Sequence, residues 1–349
     1  MKTIVEEKPI SFKELEQKIF SYVCELGREI TTAMLEAYDK ELAEGRDKKN
    51  YRDKGIRTTT IKTVYGEVSY GRHVYQTKLE DGKKACVYLL DEAMKMEKIG
   101  LISTNLAEKL AMTVTEAPYR VTAETISSTC GQSISAGGVW NVMQRLGERI
   151  SEEEEYAVKQ MHADQSEGKK EIPVLFEEMD GVWLSMQDEQ HKKMKKQEMK
   201  VFTMYEGWDE EKEKQGRSSL VGKTMLAGME KSKKFHEKRE ACICKKYDAD
   251  EIGQRILNGD GGSWIYEPYD PEAIFQLDRY HVYQEITGKI RDKKAQREIR
   301  ELFDTGKPEE MLEYIQIYAT SVESPDEKDK SSQKAWELYQ YLERNREGL

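Results

Sequence analysis

Residues 174–183 have the sequence VLFEEMDGVW, an apolar run in which Asp180 shares one strand face with the other even-numbered positions. Residues 256–262 have the sequence ILNGDGG, and Asp260 closes this second apolar run. A carboxylate at the end of a buried strand is costly to desolvate unless a partner stabilises its charge. We therefore expect Asp180 and Asp260 to share a divalent metal ion, although Asp-Gly pairs are also common in plain turns.

Around these two runs the hydrophobic pattern is strand-like and predicts five strands and a helix. The predicted strands are 173–187, 198–207, 218–227, 254–259 and 272–278, and the predicted helix is 232–247. The predicted order is therefore three consecutive strands, one helix and two further strands, which is an α/β order. The helix can serve as a crossover that lets the fourth strand lie parallel to the first. This is the order of an RNase H-like core with a mixed five-stranded sheet, and it would bring Asp180 and Asp260 together.

The regions on both sides of this predicted core are mainly helical in pattern. We divide the chain into an N-terminal helical region at 1–57, a β-hairpin region at 58–88, a helical region at 89–165, the RNase H-like core at 166–281 and a helical insertion at 282–349.

The helical region at 89–165 contains two short amphipathic segments separated by Gly131, which is the outline of a helix-turn-helix. A plain helical hairpin has the same outline, so DNA reading and simple helix packing both stay open at this point. The preceding hairpin is expected to turn at Gly66.

Charge is unevenly distributed along the 349 residues, whose formal net charge is −10. Acidic residues concentrate at 152–155 and 206–213, whereas several other short runs are basic. Such segregation could build a basic DNA-binding groove on an acidic body, and solvated surface is the alternative interpretation. The residues that we expect to contact DNA are Lys192, Lys193, Lys195, Lys196, Lys233, Lys234, Arg291, Lys293 and Lys294.

The sequence contains neither an apolar run of about 18 residues, which a transmembrane helix needs, nor an apolar stretch typical of a signal peptide. We therefore expect a cytoplasmic chain without membrane contact. The five cysteines are scattered, which favours reduced thiols over a disulfide framework.

Asp278 and His281 follow the fifth predicted strand and are three residues apart. They would share a face if the chain turns helical there, and could position a scissile phosphate or a water molecule beside the metal. The alternative is that Asp278 caps a helix and His281 faces the core.

These motifs together resemble the ISLre-type bacterial insertion-sequence transposases, which are relatives of the Mutator-like group. The resemblance runs over nearly the whole chain. The residues that carry it are MDGVW at 179–183, YEGW at 205–208, NGDGGSWI at 258–265, LDRYH at 277–281, TVYGEV at 63–68, YLLDE at 88–92 and YR at 119–120.

The resemblance implies a transposase with two aspartates and a glutamate on an RNase H-like core. Asp180 matches the first aspartate and Asp260 the second, and both would bind Mg²⁺ or Mn²⁺. Asp278 and His281 match the carboxylate-x-x-histidine signature of the Mutator-like relatives. The implied partners are the terminal inverted repeats of the element and target DNA, bound by a homo-oligomer associated with the nucleoid.

The sequence departs from the family at the glutamate, which follows the helical insertion. Glu343 and Glu347 lie in a different context, so we expect the chain to be truncated before the third acid and its cleavage activity to be impaired. Two alternatives stay open: a catalytically inactive DNA-binding remnant of a transposase, and an RNase H-like nuclease with another substrate.

Overall fold

The computed structural model describes residues 11–79, 82–96, 101–186, 192–216, 218–266, 273–323 and 330–349. The chain divides into two compact units, residues 1–152 and 153–349. None of the helices in the described ranges is long and apolar enough to cross a membrane.

The first unit begins with a long helix and a three-stranded antiparallel sheet. Helix α1 (Phe12–Gly45) starts at a capping box in which Ser11 and Glu14 exchange hydrogen bonds. It is followed by β1 (Arg52–Thr63), β2 (Gly66–Lys78) and β3 (Lys84–Val87), paired in the order β1-β2-β3. The predicted hairpin is confirmed, and Gly66 with a φ of 119° makes its turn.

In the described ranges four helices follow: α2 (Leu89–Ala93), α3 (Thr104–Glu116), α4 (Tyr119–Thr129) and α5 (Ala136–His162), whose residues from 153 onward belong to the second unit. A separate apolar cluster joins α3, α4 and the first turns of α5. Its buried members include Leu106, Leu110, Ile126, Val139 and Val142. Helix α4 corresponds to the first short segment read from the sequence, whereas the second segment is the beginning of α5, which is 27 residues long.

The second unit contains a mixed five-stranded sheet in an α/β arrangement. Its elements are β4 (Lys170–Leu184), β5 (Gln197–Tyr205), α6 (Glu210–Lys214), β6 (Thr224–Gly228), α7 (Ser232–Lys246), β7 (Tyr247–Gly259), α8 (Ser263–Tyr266) and β8 (Ile274–Leu277). The spatial order is β6-β5-β4-β7-β8, in which β4 pairs antiparallel with β5 and parallel with β7.

The strand predictions are confirmed in number and order, but several boundaries differ: β4 starts three residues and β7 seven residues earlier than predicted, at Lys170 and Tyr247. The third predicted strand was expected to start at residue 218, whereas β6 starts at Thr224. Gly222 has a φ of 64°, which turns the chain just before β6 and leaves Leu220 in an isolated bridge with Trp208.

The helices α9 (Arg279–Lys289), α10 (Lys293–Asp304), α11 (Pro308–Ser321) and α12 (Ser331–Arg344) follow the sheet. A short 3₁₀ turn, Arg346–Gly348, contacts β8. The helices share one apolar core with the sheet, to which Leu175, Leu257, Ile299, Ile315 and Leu338 belong. The residues predicted as a helical insertion therefore pack into the same core as the strands.

Candidate functional site

Three side chains from separate parts of the second unit converge at one edge of the sheet. Each residue offers one ligand atom to this cluster: a carboxylate oxygen of Asp180, a carboxylate oxygen of Asp260 and a ring nitrogen of His281. These three atoms all lie within 4.8 Å of one another. The Nε2 atom of His281 lies 4.0 Å from Asp180 Oδ1. The predicted approach of Asp180 and Asp260 is thus confirmed, and His281 joins them.

Strand pairing explains why the two aspartates meet. In the parallel pair of β4 and β7, Met179 lies opposite Gly259, so Asp180 and Asp260 are the next residues on neighbouring strands. A side chain at Gly259 would place its Cβ 3.1 Å from Ile265, so the glycine permits the close packing just before Asp260. The two acids are about 80 residues apart in sequence, and only the parallel register brings them together.

Asp278 fixes the position of His281. It is the N-cap of α9, and its Oδ1 atom accepts a hydrogen bond of 3.0 Å from the His281 backbone N–H. The same oxygen lies 3.3 Å from His281 Nδ1, and Asn258 donates a hydrogen bond of 3.1 Å to Oδ2. The cap interpretation of Asp278 is therefore confirmed, but the cap directs His281 Nε2 toward the aspartates rather than into the core.

The exposure of Asp180 corrects one premise of the sequence analysis. Its side chain is 53% exposed, because the face of β4 that carries it is open at this position. The buried carboxylate of the strand is Glu177 on the opposite face, with a side chain 0% exposed and bonded to Arg255 at 2.6 Å. The cost of desolvation therefore falls on Glu177 and not on Asp180.

The donor set of the cluster fits a divalent ion. Two carboxylates and one imidazole offer hard oxygen ligands together with a nitrogen that Mn²⁺ accepts more readily than Mg²⁺. Backbone N–H groups of Gly181 and Gly262 donate hydrogen bonds of 2.7 and 2.8 Å to Asp180 Oδ1 and Asp260 Oδ1. A neighbouring backbone N–H thereby orients each carboxylate.

Comparison with known proteins assigns the chain to a family. The sequence model of the family described as "Uncharacterised protein family (UPF0236)" matches residues 5–349. The chain belongs to the UPF0236 family.

Two UPF0236 relatives illustrate the similarity. The chain is 28% identical over 339 residues to the "UPF0236 protein in vanSb 3'region" of Streptococcus gallolyticus, covering 94% of this chain and 70% of the relative. It is 25% identical over 351 residues to a UPF0236 protein of Caldanaerobacter subterraneus subsp. tengcongensis, covering 98% of this chain and 69% of the relative.

The basic residues predicted to contact DNA lie on three elements of this UPF0236 chain, and none of them joins the three-residue cluster. All nine are exposed. The segment between β4 and β5 carries Lys192, Lys193, Lys195 and Lys196, and the start of α7 carries Lys233 and Lys234. The region around the start of α10 carries Arg291, Lys293 and Lys294.

The acidic and basic runs are less segregated in space than in sequence. Lys234 lies 3.2 Å from Glu155, and Lys238 lies 2.8 Å from Glu154 and also pairs with Glu230. Part of the acidic run at 152–155 therefore neutralises the basic run of α7.

A buried ionic network behind β4 was missed by sequence reasoning. Arg255 bonds both Glu177 and Glu240, and Arg239 lies beside the same two acids. Burial acts to raise the pKa of Glu240, but the guanidinium groups of Arg239 and Arg255 outweigh it and lower the pKa to about 2. The sequence signal was weak, since Glu177 stands beside the other acids of its strand.

A second missed contact joins the C-terminal helix to the cluster. The hydroxyl of Tyr341 on α12 donates a hydrogen bond of 2.9 Å to the backbone carbonyl of Asp260. Burial and the nearby Asp260 carboxylate raise the pKa of Tyr341, which keeps its proton in place for this bond. No local motif marks Tyr341, because its role depends on where α12 packs.

Proposed function

We propose that this chain is a metal-dependent DNA transposase of the DDE type with an RNase H-like core, related to the ISLre-type insertion-sequence transposases. The observation that carries the proposal is the convergence of Asp180 inside β4, Asp260 directly after β7 and His281 in the first turn of α9. Acidic residues at such an edge, with room above one open face, suit the binding of an ion and a phosphodiester together.

The sheet supports the RNase H-like part of the proposal. Numbered along the chain, its strands lie in the order 3-2-1-4-5, with the second strand antiparallel to the first and the fourth parallel to it. The resemblance stated above implies this order. It also implies that the acids stand on the first strand and after the fourth, where Asp180 and Asp260 lie.

Each residue of the cluster has a role in the proposal. Asp180 and Asp260 would hold Mg²⁺ or Mn²⁺ through carboxylate oxygens, and the imidazole of His281 would be the third donor. Asp278 is a positioning residue, because it accepts a hydrogen bond from the His281 backbone N–H and its Oδ1 lies 3.3 Å from Nδ1 of the ring, while Nε2 lies toward Asp180. When bound, the ion would supply electrostatic stabilisation of charge that develops on a DNA phosphodiester.

The partners in this proposal are the terminal inverted repeats of an element and target DNA, bound by a homo-oligomer. The family resemblance also implies a glutamate as a further acid. Among the described residues the cluster contains no glutamate, so we propose that cleavage by this chain is weak compared with its DNA binding. A DNA-binding protein without cleavage is the alternative that this observation favours.

A pair of assays tests the proposal. Titration of the whole chain with Mn²⁺ should show binding that Asp180→Asn and Asp260→Asn each weaken at least about tenfold, since each change removes one charged ligand. Asp250→Asn, at an exposed position of β7, is the matched control and should bind Mn²⁺ normally. Equal Mn²⁺ binding by the cluster variants and the wild type would refute the metal site.

The second assay measures cleavage of duplex DNA that flanks the chain's own gene, with Mn²⁺ present. Cleavage that Asp180→Asn abolishes supports the transposase, and tight DNA binding without cleavage supports the inactive alternative. Preferential cleavage of an RNA–DNA hybrid would point instead to an RNase H-like nuclease.

A further inference from the structure

The helices α3, α4 and α5 form a three-helix arrangement around one small core. Helix α5 turns Val139 and Val142 into this core, with Met143 and Leu146 packed beside them. Helix α4 contributes Ile126, and it is joined to α5 by the short link 130–135. This is the arrangement in which a helix-turn-helix fold presents its last helix to a nucleic acid.

The opposite face of α5 is exposed and carries side chains suited to reading bases. Trp140 is 48% exposed, and Asn141, Gln144, Arg145 and Glu148 are exposed beside it at helical spacing. Asparagine and glutamine can pair with adenine edges, arginine with guanine and glutamate with cytosine.

The same face lines a groove with a volume of about 1510 Å³. Lys62 of β1 and Lys95 lie along the groove wall, together with Arg145 and Arg149 of α5. The basic side chains outnumber the acidic ones, Glu148 and Glu152, so the groove is complementary in charge to a phosphate backbone.

The hairpin is joined to the helices by backbone hydrogen bonds, which fix Lys62 beside α5. The Lys62 N–H donates to Leu101 O at 2.9 Å, and the Ser103 N–H donates to Lys62 O at 2.8 Å. In the link before α5, the Gly131 N–H donates to Val64 O at 2.8 Å. A rigid frame therefore holds a cation at a set position next to the reading face.

We propose that the exposed face of α5 enters the major groove of duplex DNA, with Asn141, Gln144 and Arg145 contacting base edges and Lys62 and Lys95 contacting phosphates. An α-helix of about 10–12 Å diameter fits the B-form major groove, which is about 12 Å wide. This inference deepens the proposed function by naming the recognition helix, and it rests on the proposed DNA substrate but not on the metal site.

The test uses the whole chain and a pool of DNA duplexes randomised over about one helical turn, or about 10 base pairs. We expect the bound fraction to be enriched in one short motif. Asn141→Ala, Gln144→Ala and Arg145→Ala should each weaken binding to that motif about 5- to 100-fold and leave binding to the starting pool nearly unchanged. Lys62→Ala and Lys95→Ala should weaken both and lower the salt slope by about one each.

Matched controls lie elsewhere on the first unit. Asn105→Ala, at an exposed position of α3, controls for Asn141→Ala, and Lys40→Ala, at an exposed position of α1, controls for the lysine variants. Thermal unfolding of each variant separates lost contacts from lost folding. Asp180→Asn should bind the enriched motif like the wild type, so failure of the metal site and failure of α5 recognition are distinguishable.

Three results would overturn the inference. The first is a pool from which no motif is enriched. The second is a set of α5 variants that bind the motif as tightly as the wild type and Asn105→Ala. The third is equal competition by duplex RNA, because the deep and narrow RNA major groove does not admit a helix.

Discussion

At the scale of single residues, Asp278 has two roles. Its carboxylate caps α9, and the same group lies 3.3 Å from Nδ1 of His281, whose Nε2 lies toward Asp180. A helix cap is usually a contribution to stability alone. Here the cap also sets the orientation of the third member of the cluster, so its loss should be visible in metal binding.

We predict that Asp278→Ala weakens Mn²⁺ binding about 10- to 100-fold, because the imidazole loses the group that orients it. The measurement is a Mn²⁺ titration of the folded variant. Asp292→Ala removes the N-cap of α10 in the same way and serves as the control, with Mn²⁺ affinity unchanged. Equal affinities for both variants would show that the contact between Asp278 and His281 has no role in the site.

Glu240 should make the free energy of unfolding depend on pH in the acidic range. Its pKa is lowered from the ordinary 4.5 to about 2, so the ionised group stabilises the fold above pH 4.5. That contribution should be lost as the pH falls from 4.5 toward 2, where the folded protein also takes up the proton.

The check is the free energy of unfolding of the wild type and of Glu240→Gln, measured in urea across this pH range. The wild type should lose more stability on acidification than the variant. Glu313→Gln, at an exposed position of α11, is the control and should follow the wild type. Parallel acid profiles for Glu240→Gln and the wild type would contradict the assignment.

At the scale of elements, the ion pair between Glu177 and Arg255 links β4 to β7. Both residues lie on the face of the sheet that is turned away from Asp180. Burial acts to lower the pKa of Arg255, but Glu177 and Glu240 outweigh it and raise the pKa, so the guanidinium stays charged.

We predict that Arg255→Met destabilises the protein by about 3 kcal/mol, because Glu177 would lose its closest partner in a fully buried site. The double variant with Glu177→Leu should recover part of this loss, because Glu177 is then no longer buried without its closest partner, while Arg239 keeps Glu240 as its counter-ion. Urea unfolding of the single and double variants provides the measurement. An Arg255→Met variant as stable as the wild type would show that the pair is not needed.

Gly131 lies where the link before α5 meets the hairpin. A Cβ atom at this position would lie 2.5 Å from Tyr65 O, closer than real contacts allow. We predict that Gly131→Ala costs about 1–3 kcal/mol of stability, because backbone atoms must move apart.

Gly147→Ala is the matched control. Gly147 lies inside α5 with open space around its Cβ position, so alanine there should gain about 0.5–1 kcal/mol. The midpoint temperatures of thermal unfolding should therefore move in opposite directions for the two variants. A shift of the same sign in both would contradict the contact between the link and the hairpin.

At the scale of the whole molecule, the two proposed activities lie in different compact units. The groove beside α5 is formed by residues of the first unit, and the acidic cluster lies in the second. Among the residues that the structure describes, none belongs both to the groove lining and to the acidic cluster, and changes at independent sites usually act additively.

We therefore predict that Asn141→Ala leaves Mn²⁺ affinity unchanged and that Asp260→Asn leaves the preferred DNA motif unchanged. In the double variant, the loss of DNA-binding free energy should equal that of Asn141→Ala and the loss of Mn²⁺-binding free energy that of Asp260→Asn, each within about 0.5 kcal/mol. Mn²⁺ titration and DNA-binding isotherms on all three variants supply the measurement. A larger coupling energy would show that the two sites communicate.

The sequence by itself determined the order of the strands, the hairpin at Gly66 and the meeting of Asp180 with Asp260. These follow from short-range periodicity and from the rule that parallel neighbours end at the same edge. The short link at Gly131 and the helix after Asp278 were likewise readable, because glycine and capping residues act locally.

Only the tertiary structure decided that Asp180 stands on an open face while Glu177 is buried behind it, since alternation along a strand does not say which face is covered. Packing also decided that His281 joins the two aspartates and that Tyr341 reaches Asp260. It paired Lys238 with Glu154 as well. The physical reason is common to all of these: contacts between distant residues depend on how elements pack, which no local pattern encodes.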